Sequence, residues 1–249
     1  GSNFDMTIKT LVPYKSNDVE IIRNYKEGAT LIKTKYIVDI VRKMDSEEIT
    51  LEIIDSTIAH ITDAYSKFEL NCIRAEEYPD LDLDPTGTQL TLTKDEFNTL
   101  VSQTAFAASI KEQRPILTAI NLEACDGVLT ATATDSARMA RKQIKINSDI
   151  NFIANVPAKM LTEVVRLVEG TETLNMSFSD KKALFTLDRT IIATRLISGD
   201  YPNTKNIVPK MTNYSLELNS NDIIKAIDRA NILSVERVNF VDLTMSENG

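Results

Sequence analysis

The chain has 249 residues, 43% hydrophobic and 26% charged, and 28 Lys and Arg against 36 Asp and Glu give a net charge of −8. This is ordinary globular composition at a length of about two domains, and no apolar run approaches the roughly 18 residues of a membrane-spanning helix. A net acidic chain is repelled by nucleic acid at long range, which excludes a charge-driven DNA binder unless the basic residues share one face.

Gly1 and Ser2 read as a tag remnant, and the abrupt start in a strand reads as an engineered fragment. Alternation predicts a strand at 6–12, a polar turn at 13–18, and short strands at 19–23 and 29–33. A helix follows at 35–44, with Ile37, Ile40, Val41 and Met44 as its apolar stripe. Strands are predicted at 49–53, 57–62 and 67–73, then an acidic linker at 80–87. Next come a strand at 90–92 and a helix at 94–108, started by a capping box of Thr93 and Glu96. Strands at 116–124, 128–134, 138–146 and 152–156 lead to a helix at 158–168. Strands at 174–178, 183–188 and 191–197 precede a second linker at 201–213. A strand at 215–218, a helix at 222–233 capped by Asn219 or Ser220, and a strand at 240–245 end the chain. Short antiparallel strands with two helices per domain indicate an α+β fold.

Two repeats organise this pattern. Residues 30–80 recur about 124 positions later as residues 154–203, and Leu161, Val164, Val165 and Val168 take the places of the first stripe. Both copies end alike, in Glu77-Tyr78-Pro79-Asp80 and Asp200-Tyr201-Pro202-Asn203. Residues 90–97 recur as 216–223. A repeat this long marks one supersecondary unit used more than once. The chain therefore divides into a half domain at 1–85, a complete domain at 86–211 and a further half domain at 212–249. Repeated units are usual in scaffolds and rings. They also bring equivalent helices to one surface, so the cations Lys35, Arg42, Lys43, Lys94, Lys159, Arg166, Lys225 and Arg229 fit non-specific phosphate contact.

Catalytic signals are weak. His60 is the only histidine and sits in a strand pattern, where a structural role is expected. There is no P-loop motif and no Cys/His zinc cluster. Cys72 and Cys125 both fall in strand patterns and are expected as buried thiols of a reducing cytoplasm. Asp80, Asp82 and Asp84 alternate and define the rival reading, a metal-dependent nucleic-acid enzyme domain. Another rival is a protein-interaction scaffold with no DNA role. No cofactor and no metal are expected.

The segment Thr132-Ala133-Thr134-Asp135-Ser136-Ala137-Arg138-Met139-Ala140 resembles the Ala-Thr-Asp-(Gly/Ser)-His-Arg-(Leu/Met)-Ala motif of the bacterial DNA polymerase III β sliding clamp family. Arg114-Pro115-Ile116-Leu117-Thr118, Gly199 to Pro209, and Ala226 to Ser234 agree in order and spacing. The resemblance covers nearly the whole chain. It implies a DNA-clamp fold in a homodimeric ring of six similar domains around duplex DNA. Such a cytoplasmic processivity factor tethers the polymerase III catalytic subunit and is placed by a clamp loader, with no chemistry of its own. It implies a cleft for short linear motifs of partner proteins at Leu117, Thr134, Ser136, Ala137, Arg138, Met139, Pro202, Asn206, Ile207 and Val238. Leu117, Met139, Pro202 and Ile207 are expected to form its apolar pocket, and Ala137 departs from the family's usual histidine. It implies DNA-facing cations at Lys43, Lys94, Lys111, Arg114, Arg166 and Arg229, and a subunit interface of Phe68 and Leu70 against a partner's Ile232 and Leu233.

Overall fold

Helix starts in this chain follow local chemistry. In the computed structural model, which describes residues 1–3, 5–208, 215–232 and 241–244, there are four α-helices. These are α1 (Thr34–Val41), α2 (Lys94–Ser102), α3 (Ala158–Leu167) and α4 (Ser220–Asn231). The predicted capping box starts α2: Thr93 Oγ1 accepts the Glu96 N–H at 3.3 Å, and the Glu96 carboxylate accepts the Thr93 N–H at 2.9 Å. Of the two candidates for α4, Asn219 is the cap, and its side chain accepts from the N–H groups of Asn221 and Asp222. Where the sequence predicts one long helix over 94–108, α2 ends at Ser102 and a short 3-10 turn follows at Ala105–Ala107. There Thr104 is buried and its hydroxyl donates back to the Leu100 carbonyl at 2.7 Å.

The chain divides into two units, Gly1–Tyr201 and Pro202–Gly249. In the first, every strand pair is antiparallel. A five-stranded sheet runs Met6–Thr10, Thr190–Arg195, Lys182–Leu187, Thr173–Phe178, Thr88–Thr93. A four-stranded sheet runs Met139–Lys145, Val128–Thr134, Ala119–Cys125, Phe152–Pro157. Between them α2 packs on α3 over one continuous core, with Phe97, Leu100, Leu161, Val164, Leu174 and Phe185 at its centre. The expected strand over 116–124 begins only at Ala119, because Pro115 opens a 3-10 turn, Pro115–Thr118, in front of it.

The first copy of the repeat forms a three-stranded sheet, Thr50–Ile54, Ile58–Thr62 and Lys67–Asn71, beside α1. Its register Ile61↔Phe68 and Ala59↔Leu70 reappears in the second copy as Phe185↔Ile192 and Ala183↔Thr194. The two copies are therefore one unit in space as well as in sequence. Met6–Thr10, which precedes the first copy, pairs with the strand Thr190–Arg195 of the second. Over the linker, Lys182 donates to the backbone carbonyl of Asp82 at 2.9 Å and lies 2.6 Å from its carboxylate. Gly87 closes the linker at φ +84°, where an added Cβ would fall 2.1 Å from the Phe178 carbonyl oxygen.

Gly1 and Ser2 fold against the first strand: Ile8 N–H donates to the Gly1 carbonyl at 2.8 Å and the Ser2 and Thr7 hydroxyls are 2.9 Å apart. The expectations for the cysteines and for the last two strands fail. Cys125 is exposed at a strand end and Cys72 only half-buried, and neither forms a disulfide. In the second unit, residues 215–218 are not a strand, for no described segment supplies the neighbour whose backbone a strand requires. Residues 241–244 are likewise not a strand, and positions 240 and 245 of that expected element lie outside the described residues. Among the described residues, no helix is long and apolar enough to cross a membrane.

Candidate functional site: a locked hairpin in the middle domain

Strands Val128–Thr134 and Met139–Lys145 are joined by a tight turn, and this hairpin carries five of the predicted cleft residues. Asp135 builds it. Its Oδ1 accepts the N–H groups of Ala137 and Arg138, both at 2.9 Å, and its Oδ2 lies 3.1 Å from Arg138 Nε. The backbone bond from Arg138, then that from Ala137, hold this carboxyl below the usual aspartate range, with the Arg138 charge adding to them. Thr134 Oγ1 donates to the Arg138 carbonyl at 2.6 Å and accepts the Ser136 N–H at 3.1 Å. Ser136 takes φ +79°, the left-handed conformation that such a turn demands.

Two anchors fix the turn from outside. Tyr201 OH accepts the Thr134 N–H at 3.0 Å, and burial pushes this phenol's pKa up. Arg114 Nη1 donates to Ser136 Oγ at 3.2 Å and ties the Pro115–Thr118 turn to the hairpin. Asn155 Nδ2 donates to the Gly199 carbonyl at 3.0 Å, positioning the backbone just before Tyr201. The result is a rigid rim with Ser136, Ala137 and Arg138 exposed and Met139 half-buried.

Leu117 is only 3% exposed, so it forms part of the floor and offers little surface. Pro202, Asn206 and Ile207 belong to the second unit, where Ile207 is exposed. Val238 lies outside the described residues, as does Leu233 of the expected subunit interface. Phe68 and Leu70 share the sheet face of Ala59 and Ile61, as the pleat requires, and Phe68 is exposed. Ile232, just after α4, is exposed.

The predicted cations are dispersed. Lys43 follows α1, Lys94 opens α2, Lys111 and Arg114 lie in the segment after Ala105–Ala107, and Arg229 is in the last turn of α4. Arg166, in the last turn of α3, bridges Glu163 at 2.9 Å. His60 stands between two carboxylates, 3.1 Å from Glu69 and 3.8 Å from Glu52, at registered positions on its flanking strands. Asp82, of the rival metal site, is held by Lys182, which also lowers its carboxyl pKa. Among the described residues, no three His, Cys, Asp or Glu side chains are grouped to hold a metal ion.

Sequence reasoning missed Tyr201, Asn155 and Lys182. Only the first left a signal, the Tyr-Pro pair ending both copies of the repeat.

Known proteins share this architecture. The family model for the central domain of the DNA polymerase III beta subunit matches residues 91–203, and that for its N-terminal domain matches residues 1–82. The chain belongs to the DNA polymerase III beta subunit family, the β sliding clamps. It is 33% identical over 246 residues to the beta sliding clamp of Halalkalibacterium halodurans, covering 97% of this chain and 65% of that protein. It is 29% identical over 248 residues to that of Bacillus subtilis, covering 98% and 66%. A crystal structure of the DNA polymerase sliding clamp from Bacillus subtilis superposes with a TM-score of 0.90 at 28% identity, over 96% of this chain and 63% of that one. The chain thus spans about two thirds of the length of these clamps.

Proposed function

We propose that this chain supplies the middle of a processivity clamp, a ring that encircles duplex DNA and tethers the replicative polymerase. The observation that carries this reading is the repeat: two copies of one unit with the same strand register, over which two successive clamp domain models match. In this reading residues 1–85 are the second half of one domain, 86–211 a complete domain and 212–249 the first half of a third. The clamp has no chemistry of its own, needs no cofactor, works in the cytoplasm, and is loaded by a clamp loader.

Lys43, Lys94, Lys111, Arg114, Arg166 and Arg229 face the DNA backbone. Phosphate contacts of this kind hold the duplex without reading its sequence, so the ring can slide. Residence on DNA then comes from topology, which reconciles binding with a net charge of −8. The rim of Thr134, Ser136, Ala137, Arg138 and Met139, over Leu117, receives the linear motif of the polymerase and of other partners. A pre-formed rim suits this task because little ordering entropy is lost on binding. Phe68 and Leu70 contribute to the subunit interface, against a partner's α4 end at Ile232.

Titration of a fluorescent peptide of pattern Gln-Leu-x-Leu-Phe tests the cleft. Saturable binding that Met139→Asp lowers at least about tenfold, the scale of one lost apolar anchor, is the expected result. Binding that ignores Met139→Asp would sink the assignment. Met139 is half-buried on the rim, whereas Leu117→Asp would bury a charge and unfold the site.

A further inference from the structure

The turn that shapes the hairpin rim occurs twice in the chain. Asn3 Oδ1 accepts the N–H groups of Asp5 at 2.9 Å and Met6 at 2.8 Å, and the Asn3 N–H donates to the Met6 carbonyl, as that of Asp135 does to Arg138. Asn3 therefore matches Asp135, and Ser2, Asp5, Met6 and Thr7 match Thr134, Ala137, Arg138 and Met139. The counterpart of Ser136, position 4, lies outside the described residues. The repeated endings Tyr78-Pro79 and Tyr201-Pro202 make Pro79 the match of Pro202. Ser2, Asp5, Met6, Thr7 and Pro79, counterparts of five predicted cleft residues, line one cavity of about 720 Å³ inside the first unit. The rest of its lining comes from the strands Lys182–Leu187 and Thr190–Arg195 of the middle domain and from the linker after Pro79. A complete domain leaves such a rim open. In the middle domain, where residues 86–133 precede the hairpin and are folded, Ser136, Ala137 and Arg138 are still exposed.

We propose that this junction cavity is a second peptide site, for a short segment of a partner protein in which an acidic and a basic residue flank apolar side chains. The lining sets that chemistry. Met6, Leu81, Leu83 and Leu196 are half-buried, so apolar area remains for an anchor. Lys182 is engaged by the linker, through the Asp82 carboxylate and the Asp82 and Asp84 carbonyls. Lys181 and Arg195 remain on one side of the balance, and Asp5 and Asp80 on the other. All four are exposed, and among the described residues none of their side chains forms an ion pair. Two unpaired charges of each sign match a ligand that carries both. A balanced lining also exerts no net pull on the phosphates of DNA. The two rims therefore select differently. The hairpin presents Arg138, held by Asp135, where the junction presents apolar Met6 beside an unpaired Asp5. The kind of ligand, a peptide, rests on the cleft reading above, whereas the cavity and its charges do not.

Methyl spectra of the full chain with isotope-labelled methionine read both sites at once, since Met6 lines the junction and Met139 the hairpin rim. Met6→Leu and Met139→Leu assign the two signals. Acetyl-Lys-Leu-Leu-Glu-amide, or the reversed acetyl-Glu-Leu-Leu-Lys-amide, is expected to shift Met6 saturably with a Kd of about 1 mM or tighter, leaving Met139 in place. Uncharged acetyl-Gln-Leu-Leu-Gln-amide should bind about fivefold more weakly, and Arg195→Glu should weaken the charged peptide by about the same factor, the scale of an exposed ion pair. Met160 and Met176 are buried in the middle domain, so their unmoved signals show that the variant folds. A Met6 signal that ignores both charged peptides at about 10 mM would overturn the proposal. Equal binding of the uncharged peptide would overturn its charge chemistry. Gln-Leu-x-Leu-Phe separates the two readings. Shifts at Met139 with Met6 unmoved by any peptide would leave the hairpin cleft standing and sink the junction site. Shifts at Met6 by a charged peptide, with Met139 unmoved by the clamp pattern, would do the opposite.

Discussion

The two copies of the repeated unit carry the same pattern and meet opposite fates. In the second, Leu161, Val164 and Val168 of the α3 stripe are fully buried, and the strand facing them contributes Leu174, Met176 and Phe178 to the core. In the first, α1 buries no side chain completely, and Ile49 and Leu51 beside it are 43% and 51% exposed. The difference lies in what covers them. α2 packs on α3, and strand Thr88–Thr93 pairs with Thr173–Phe178. Among the described residues nothing equivalent covers α1 or pairs with the outer edge of Thr50–Ile54. An amphipathic pattern sets a helix and the side it turns inward. How much that stripe stabilises the fold depends on the neighbour that takes it out of water.

Matched truncations break this comparison most directly. Leu161→Ala is expected to cost about 2–5 kcal/mol, because it opens a cavity in a closed core. Ile37→Ala, at the matching place in α1, is expected to cost about 1 kcal/mol, because the side chain is only half-buried. Urea unfolding of the two variants measures both. Equal losses would mean that α1 is covered in solution as fully as α3.

Much of this was legible before any coordinates. The stripes of α1 and α3 and the capping box of Thr93 and Glu96 follow from period and from satisfied backbone donors, which are local properties. Burial was not legible, because it is set by segments distant in sequence. That is why Leu117 turns inward, Cys125 outward, and residues 215–218 form no strand. The Tyr201 lock joins positions 67 residues apart, and no spacing rule links a phenol to a backbone N–H so far away.

That lock gives a second, smaller contrast. Tyr201 OH accepts the Thr134 N–H, whereas the hydroxyl of Tyr78, its repeat counterpart, is buried with no partner among the described residues. Tyr201→Phe leaves a buried backbone donor unsatisfied and is expected to cost about 1–3 kcal/mol. Tyr78→Phe removes an unsatisfied oxygen and is expected to be neutral or stabilising by up to about 1 kcal/mol. Thermal unfolding of the pair separates them. A loss at Tyr78 as large as that at Tyr201 would mean that Tyr78 has a partner in solution.

The finest contrast is between the two turns, where the bonds are alike and the charge differs. Asp135 and Asn3 each accept two backbone N–H groups on one side-chain oxygen. Only Asp135 ionises, and its carboxyl is held below the ordinary aspartate range. A carboxyl lowered by folding favours the fold above its unfolded pKa, and this contribution disappears as pH falls through the folded value. Amide exchange followed from about pH 7 to about pH 2 should therefore show Ala137 and Arg138 losing protection in the acid range, relative to the rest of the sheet. Asp5 and Met6, held by an amide that does not titrate there, should keep theirs to lower pH. Asp135→Asn should make the middle turn behave like the first. Loss of protection at all four amides with one midpoint would instead mark global acid unfolding, and the charge on Asp135 would then have no local role.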